Sequence, residues 1–222
     1  MNLSFDAAGE EGIQFFGRVS ASVSHEIKNV LAIVNETAGL LEDFSLMAEQ
    51  GTPLDPARLK ALSGKIKKQV RRADEIVKNM NRFAHSVDSP RQDVDLGETL
   101  TLMCALVERV ATMSGVTLQL KLPGQPVKVV TAPFVLNHIL WMCLETAIHA
   151  AGAGHTVDVI LSERADCVRV KFQPLKDIVE TPDGLPIFSN PANALFDGLG
   201  VSLATDAIKK ELILTLPHDL NR

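Results

Sequence analysis

Apolar residues recur along the first part of the chain at Phe16, Val19, Val23, Ile27, Val30, Leu31, Val34, Ala38, Leu41 and Phe44. Steps of three and four draw one stripe along a helix, so the pattern predicts a long helix from about Glu10 onward. The stretch Gln50-Gly51-Thr52-Pro53 breaks it, and Asp55 then stands as an N-cap with Pro56 at the first helical position. A second stripe runs through Leu59, Leu62, Ile66, Val70, Ala73, Val77, Met80, Ala84 and Val87. Its spacing is close to a heptad, so this seam is expected to supercoil against another helix. The run Lys65-Ile66-Lys67-Lys68-Gln69-Val70-Arg71-Arg72 puts a basic, solvated face between the apolar positions. Two helices of roughly 30 to 40 residues cannot bury both stripes in a lone hairpin. Two hairpins paired into a four-helix bundle can, and a homodimer is the expectation.

Val87-Asp88-Ser89-Pro90-Arg91-Gln92 reads as a linker, and beyond it the period changes. Leu96 to Met113 is an amphipathic helix, while Val116 to Leu122 and Val127 to Val130 alternate like strands. Ala132 to Ala151 is an apolar helix ended by Gly152 and Gly154. Thr156 to Ser162 and Cys167 to Phe172 predict a β-hairpin turning at Arg164-Ala165-Asp166. A loop rich in Pro, Asp and Asn covers Pro174 to Ala194, followed by a helix from about Gly200 to Lys210 and a last strand, Glu211 to Leu216. The fold class expected is therefore α+β. A helical hairpin over 1–88 forms a dimeric four-helix bundle, and a two-layer α/β sandwich follows over 93–222.

With 46% apolar and 22% charged residues the composition is that of an ordinary globular protein. A net charge of −5 gives no electrostatic footprint for nucleic acid or an anionic membrane. Cys104, Cys143 and Cys167 are odd in number and sit in apolar runs, which reads as buried thiols in a reducing compartment. No apolar run approaches the roughly 20 residues that cross a bilayer, and the N-terminus lacks a signal-peptide pattern. A cytoplasmic protein without direct membrane insertion is expected.

Chemistry concentrates in Ser24-His25-Glu26-Ile27-Lys28-Asn29-Val30-Leu31-Ala32-Ile33. An imidazole accepts a phosphoryl group because one ring nitrogen attacks while the other sheds or shares its proton. Glu26, next in sequence, is placed to take that proton or orient the ring. Asn29 lies four residues after His25, on the same helix face, where an amide can hold a water or an aspartyl-phosphate oxygen. Neither His25 nor Glu26 belongs to the apolar stripe, so both are expected to project from the bundle. A lone His-Glu pair on a helix is more often just a solvated face. Hydrolase triads come together from distant segments, and the zinc motif His-Glu-x-x-His fails because position 29 is Asn.

His25-Glu26-Ile27-Lys28-Asn29-x-Leu31-Ala32-x-Ile33 resembles the H-box of sensor histidine kinases, whose common form is His-Glu-Ile-Lys-Asn-Pro-Leu. Val30 replaces the proline that commonly bends the first helix in that family. The resemblance covers nearly the whole chain. It implies a dimerisation and histidine-phosphotransfer bundle, with His25 phosphorylated, followed by an ATPase-like domain.

The second half departs from the family where nucleotide is bound. The family helix Leu-x-Asn-Leu-x-x-Asn-Ala supplies a magnesium-binding asparagine. Here Thr146 stands at that position and Met142 at the earlier asparagine; a hydroxyl has shorter reach, and Glu145 would face differently. Gln173-Pro174-Leu175-Lys176-Asp177 stands where Asp-x-Gly-x-Gly would recognise adenine, and Asp183-Gly184 is more cheaply a turn. A glycine-rich remnant, Gly198-Leu199-Gly200, is the residual phosphate-binding candidate at a helix start. The family's extra strand and glycine turn before Glu211 are expected to be missing. ATP and Mg²⁺ are thus cofactors only if Thr146, Gly198 and Gly200 still form a working site. A degenerate ATPase-like domain is the expectation, serving as a docking or scaffolding surface.

His85, His138, His149 and His155 lack the paired spacing of metal ligands, and packing accounts for His138 and Trp141, one turn apart. The reading these residues support is histidine phosphotransfer with the aspartate of a response-regulator receiver domain. The basic face from Lys65 to Arg72 is available to steer that acidic partner. The alternatives are an ATP-dependent sensor kinase with an atypical nucleotide site, and a non-catalytic pseudo-kinase scaffold.

Overall fold

The computed structural model describes residues 3–176 and 195–219. By their contacts they divide into Ser20–Asn81 and a second unit made of Met1–Val19 with Arg82–Arg222.

The first unit is a helical hairpin. Helix α1 (Leu3–Glu49) runs 47 residues, beginning before the apolar steps become regular and passing Val30 without a break. It ends in a turn at Gly51, whose φ of +89° suits glycine. Helix α2 (Pro56–Ala84) starts where Asp55 caps it, the Asp55 carboxylate accepting from the Ala57 amide at 2.9 Å. Val23, Val30 and Ile76 are buried in this hairpin. Thr37, also buried, donates its hydroxyl to the Ile33 carbonyl at 2.6 Å. Leu31 (57% exposed), Val70 (56%) and Val77 (44%) leave apolar side chains of both helices in solvent.

The second unit is the α/β part. Strand β1 (Gln92–Asp95) pairs antiparallel with β3 (Lys128–Thr131). Between them lie α3 (Leu96–Met113), capped by the Asp95 side chain on the Gly97 and Glu98 amides, and β2 (Thr117–Lys121). After β3 come α4 (Pro133–Ala151), β4 (Thr156–Glu163), β5 (Val168–Gln173), a short helix over 195–198, β6 (Ser202–Asp206) and β7 (Glu211–Leu216). The five-stranded sheet has the order β2-β4-β5-β7-β6, parallel only at β2-β4. Its alternation is plain in β4 and β5: Val157, Val159, Leu161, Val168, Val170 and Phe172 are buried, and the residues between them are half-buried. Helices α3 and α4 bury their apolar faces with that sheet, which is two-layer packing.

Several expectations are corrected. The segment expected as a helix from Gly200 to Lys210 is strand β6 and a turn, so the extra strand expected to be missing is present. Asp206 accepts from the Lys209 amide at 2.9 Å, Lys210 takes φ +56° where a glycine would be usual, and the chain folds back so that β6 pairs with β7. These local turn bonds win over a helical apolar spacing. Strand β1 is unexpected: only its first residue, Gln92, falls in the expected linker, and no element is expected over 93–95. Helix α4, 19 residues, is long and apolar enough by composition to cross a bilayer, contrary to the expectation for any run; its length is mostly buried within the protein. Of the cysteines, Cys143 is buried while Cys104 and Cys167 are only partly so. Burial pushes the Cys104 thiol up to about 12, and the Cys143 thiol upward too, so neither is a ready nucleophile.

The start of α1 belongs to this unit through an aromatic cluster. Phe15 is fully buried. It meets Phe83 edge-on at 5.3 Å and Phe134 at 5.5 Å, and stacks on His138 with centroids 4.4 Å apart and planes within 3°. Burial, and then the Arg18 charge, lower the His138 pKa to about 4. The fold therefore holds the imidazole neutral, whereas the unfolded chain protonates it near 6.5. Stability from this site is intact above pH 6.5 and is lost as the pH falls toward 4, by about 3 kcal/mol. Urea titrations at pH 7 and pH 4.5 check this: His138→Phe is expected to lose distinctly less stability between the two than the native chain. Equal losses would refute it.

Candidate functional site

His25 sits on α1 within the hairpin unit, one turn after the buried pair Ser22 and Val23. Its ring is exposed and makes no side-chain hydrogen bond among the described residues. Asn29 is exposed one turn further along, so the two share a solvent-facing strip as their spacing predicts. Glu26 behaves differently from expectation. Only 14% of its side chain is exposed, and its carboxylate lies 3.8 Å from the Arg72 guanidinium of α2. A residue one step along a helix turns by about 100°, which carries Glu26 from the His25 face toward the second helix. At that separation, with Arg72 half exposed, the pair orients more than it stabilises. Arg72 was legible only as part of a basic run; no sequence signal marked it as the partner of Glu26.

The nucleotide candidates are not brought into a phosphate site. Thr146 on α4 is buried, and its hydroxyl donates to the Met142 carbonyl at 2.8 Å. Gly198 ends the short helix 195–198. Gly200, at φ +59°, forms the turn that leads into β6. No helix starts at these glycines, so the array of free amides that would hold phosphate at a helix N-terminus is missing from them. Leu175, where the adenine aspartate would be approached, is fully buried, its amide donating to the Lys210 carbonyl at 2.8 Å. The Lys176 amide donates to the Ala150 carbonyl at the end of α4, also at 2.8 Å. Leu175 is thus turned inward between the exposed Pro174 and Lys176, a feature its sequence did not announce. Asp183-Gly184 lies outside the described residues. These residues do not fit a magnesium-nucleotide complex. Among the described residues no three His, Cys, Asp or Glu side chains converge as metal ligands.

No family model and no curated protein sequence matches this chain. Solved structures do. A nucleotide-free catalytic domain of the histidine kinase ThkA is 14% identical, with a TM-score of 0.50 over 60% of this chain and 98% of its own. The Acinetobacter baumannii histidine kinase AdeS is 15% identical, with a TM-score of 0.48 over 89% of this chain and 98% of its own. ThkA in complex with the response regulator TrrA is 17% identical, with a TM-score of 0.49 over 96% of this chain and 65% of its own. The fold is thus α+β, with long helices followed by a mixed-sheet domain of the histidine-kinase catalytic type.

Proposed function

We propose that this chain acts in two-component signalling as a histidine phosphotransfer protein. The carrying observation is an exposed His25 with Asn29 on the same helix face, in a chain whose Thr146 hydroxyl is buried and bonded to the Met142 carbonyl. A ring nitrogen of His25 attacks the phosphorus of an aspartyl-phosphate on a receiver domain. The bond to the aspartate oxygen breaks, leaving a carboxylate, and the imidazole sheds its proton to Glu26 or to water. Asn29 orients the incoming phosphate. The reverse transfer returns the group to an aspartate. The receiver supplies its own magnesium and acidic cluster, so the chemistry does not need ATP here.

The hairpin over 1–88 is the phosphotransfer and dimerisation domain in this reading, and 93–222 the degenerate ATPase-like domain, in a cytoplasmic protein. Leu31, Val70 and Val77, exposed in one hairpin, supply apolar surface that a second copy would cover in a four-helix bundle. Val70→Glu with Val77→Glu is expected to convert a dimer into a monomer, as read by sedimentation equilibrium; a native chain that is monomeric at all concentrations rejects the bundle.

The competing kinase reading is tested by calorimetric titration with ATP and Mg²⁺. No heat of binding is expected at millimolar nucleotide, because Thr146 and Leu175 are committed elsewhere. Clear binding, lost in Thr146→Ala, would reinstate an ATP-dependent kinase. A pseudo-kinase scaffold would instead bind receiver without ever carrying phosphate on His25.

A further inference from the structure

Arg72 has no part in the phosphotransfer as written above, yet it is the cation of α2 that meets the residue next to His25. Both residues lie in the compact hairpin unit Ser20–Asn81. Each residue of an α-helix turns by about 100°, so the faces can be counted from His25. Asn29 stands about 40° round α1 from it and Glu26 about 100°, in the same sense. The three positions fan from the exposed strip toward α2, and the fan ends on Arg72, 3.8 Å from the Glu26 carboxylate. On α2, Arg72 is turned about 140–160° from the exposed apolar pair Val70 and Val77, and on α1 His25 is turned about 120° from Leu31. Imidazole and guanidinium therefore share the side of the hairpin away from its exposed apolar residues.

Arg72 is loosely held there. Its side chain is 52% exposed, and 3.8 Å from a carboxylate is an ion pair too long for a hydrogen bond. A phosphoryl group on His25 brings about two negative charges, and a guanidinium meets such oxygens with a planar fork of N–H donors. Lys28, the cation nearest to His25 along α1, stands about 60° round the helix in the opposite sense, away from α2.

We infer that Arg72 is a further catalytic residue, whose guanidinium turns from Glu26 to the phosphoryl oxygens as the bond to His25 forms. This rests on the phosphotransfer reading and adds a phosphate-binding cation to it. Arg72 forms no covalent bond and gives up no proton.

Phosphoramidate, a small donor that needs no receiver, tests this on the full chain. A ring nitrogen of His25 attacks its phosphorus, ammonia leaves, and the imidazole proton passes to Glu26 or to water. Mass spectrometry follows the label at His25 and, in the same molecules, at His149, an exposed histidine whose Nδ1 donates to the Glu145 carbonyl at 2.7 Å. The native chain is expected to label faster at His25 than at His149. Arg72→Ala is expected to slow His25 by about 10- to 100-fold, the worth of one charge-assisted hydrogen bond, and to leave His149 unmoved. Arg72→Lys is expected to restore part of the rate, and Lys28→Ala to leave it nearly unchanged. The same loss is expected on a Glu26→Gln background, because the guanidinium acts on the phosphoryl group itself. A loss that vanishes on that background, no rescue by lysine, or a rate indifferent to Arg72→Ala would overturn this inference alone. Equal labelling of His25 and His149 in the native chain would instead overturn the phosphotransfer reading, and this inference with it.

Discussion

His25→Ala is expected to take up no phosphoryl group from a phosphorylated receiver domain, while Thr146→Ala labels like the native chain. The alanine variant lacks the attacking nitrogen, so incorporation falls to background instead of by a factor. The loss costs the fold little, because His25 is exposed and bonds to nothing among the described residues; surface changes of that kind usually stay within about 0.5 kcal/mol. Thr146→Ala forfeits one hydroxyl bond to the Met142 carbonyl, about 1 kcal/mol of stability, and no reacting group. Between these limits stands Glu26→Gln, expected to slow transfer by about 10²-fold, the low end of general-base effects, without weakening receiver binding. Its amide keeps the shape beside Arg72 but cannot take a proton. Radiolabelled phosphate followed on gels, with receiver affinity measured separately, reads all three. Label persisting on His25→Ala would move the acceptor to another residue and end the assignment.

What could be read from residues alone follows how local each determinant is. The start of α2 was legible because Asp55 and Pro56 carry their own capping chemistry. The β4-β5 hairpin was legible because alternation and a polar turn coincide within a short window. Strand β1 was not: Gln92-Asp93-Val94-Asp95 has one apolar residue, and only its partner β3, far along the chain, makes it a strand. Strand β6 was misread because Leu203, Ala204, Ala207 and Ile208 keep helical steps, while the deciding bonds are made by Asp206 and by β7. At the candidate site the exposure of His25 and Asn29 follows from their absence from the apolar stripe. Glu26 lies at the margin of that stripe, and its burial depends on which residue of α2 stands opposite, a register that neither helix encodes by itself. Likewise the substitution at Thr146 is visible in the motif, whereas the burial of Leu175 and its amide bond to the Lys210 carbonyl are tertiary facts.

Phe15→Ala is expected to cost about 3–5 kcal/mol, a large share of the roughly 5–15 kcal/mol that a typical domain has. The residue is fully buried and touches Phe83, Phe134, His138 and Trp141 at once, so its removal leaves a cavity that several rigid rings border and cannot easily refill. The stack that covers one face of His138 is lost as well. With water admitted, the imidazole is expected to titrate closer to its ordinary range, which removes much of the acid sensitivity between pH 6.5 and 4. Trp141, the single tryptophan of the chain and a neighbour of Phe15 at 5.9 Å, reports the change directly through its emission. Ile13→Ala is the control: that side chain is 76% exposed and is expected to shift the urea midpoint hardly at all. A Phe15→Ala chain as stable as Ile13→Ala would mean that the first turns of α1 are not held by this cluster. The measured pair of losses therefore decides whether the helix that carries His25 is anchored at its start by aromatic packing or merely lies beside it.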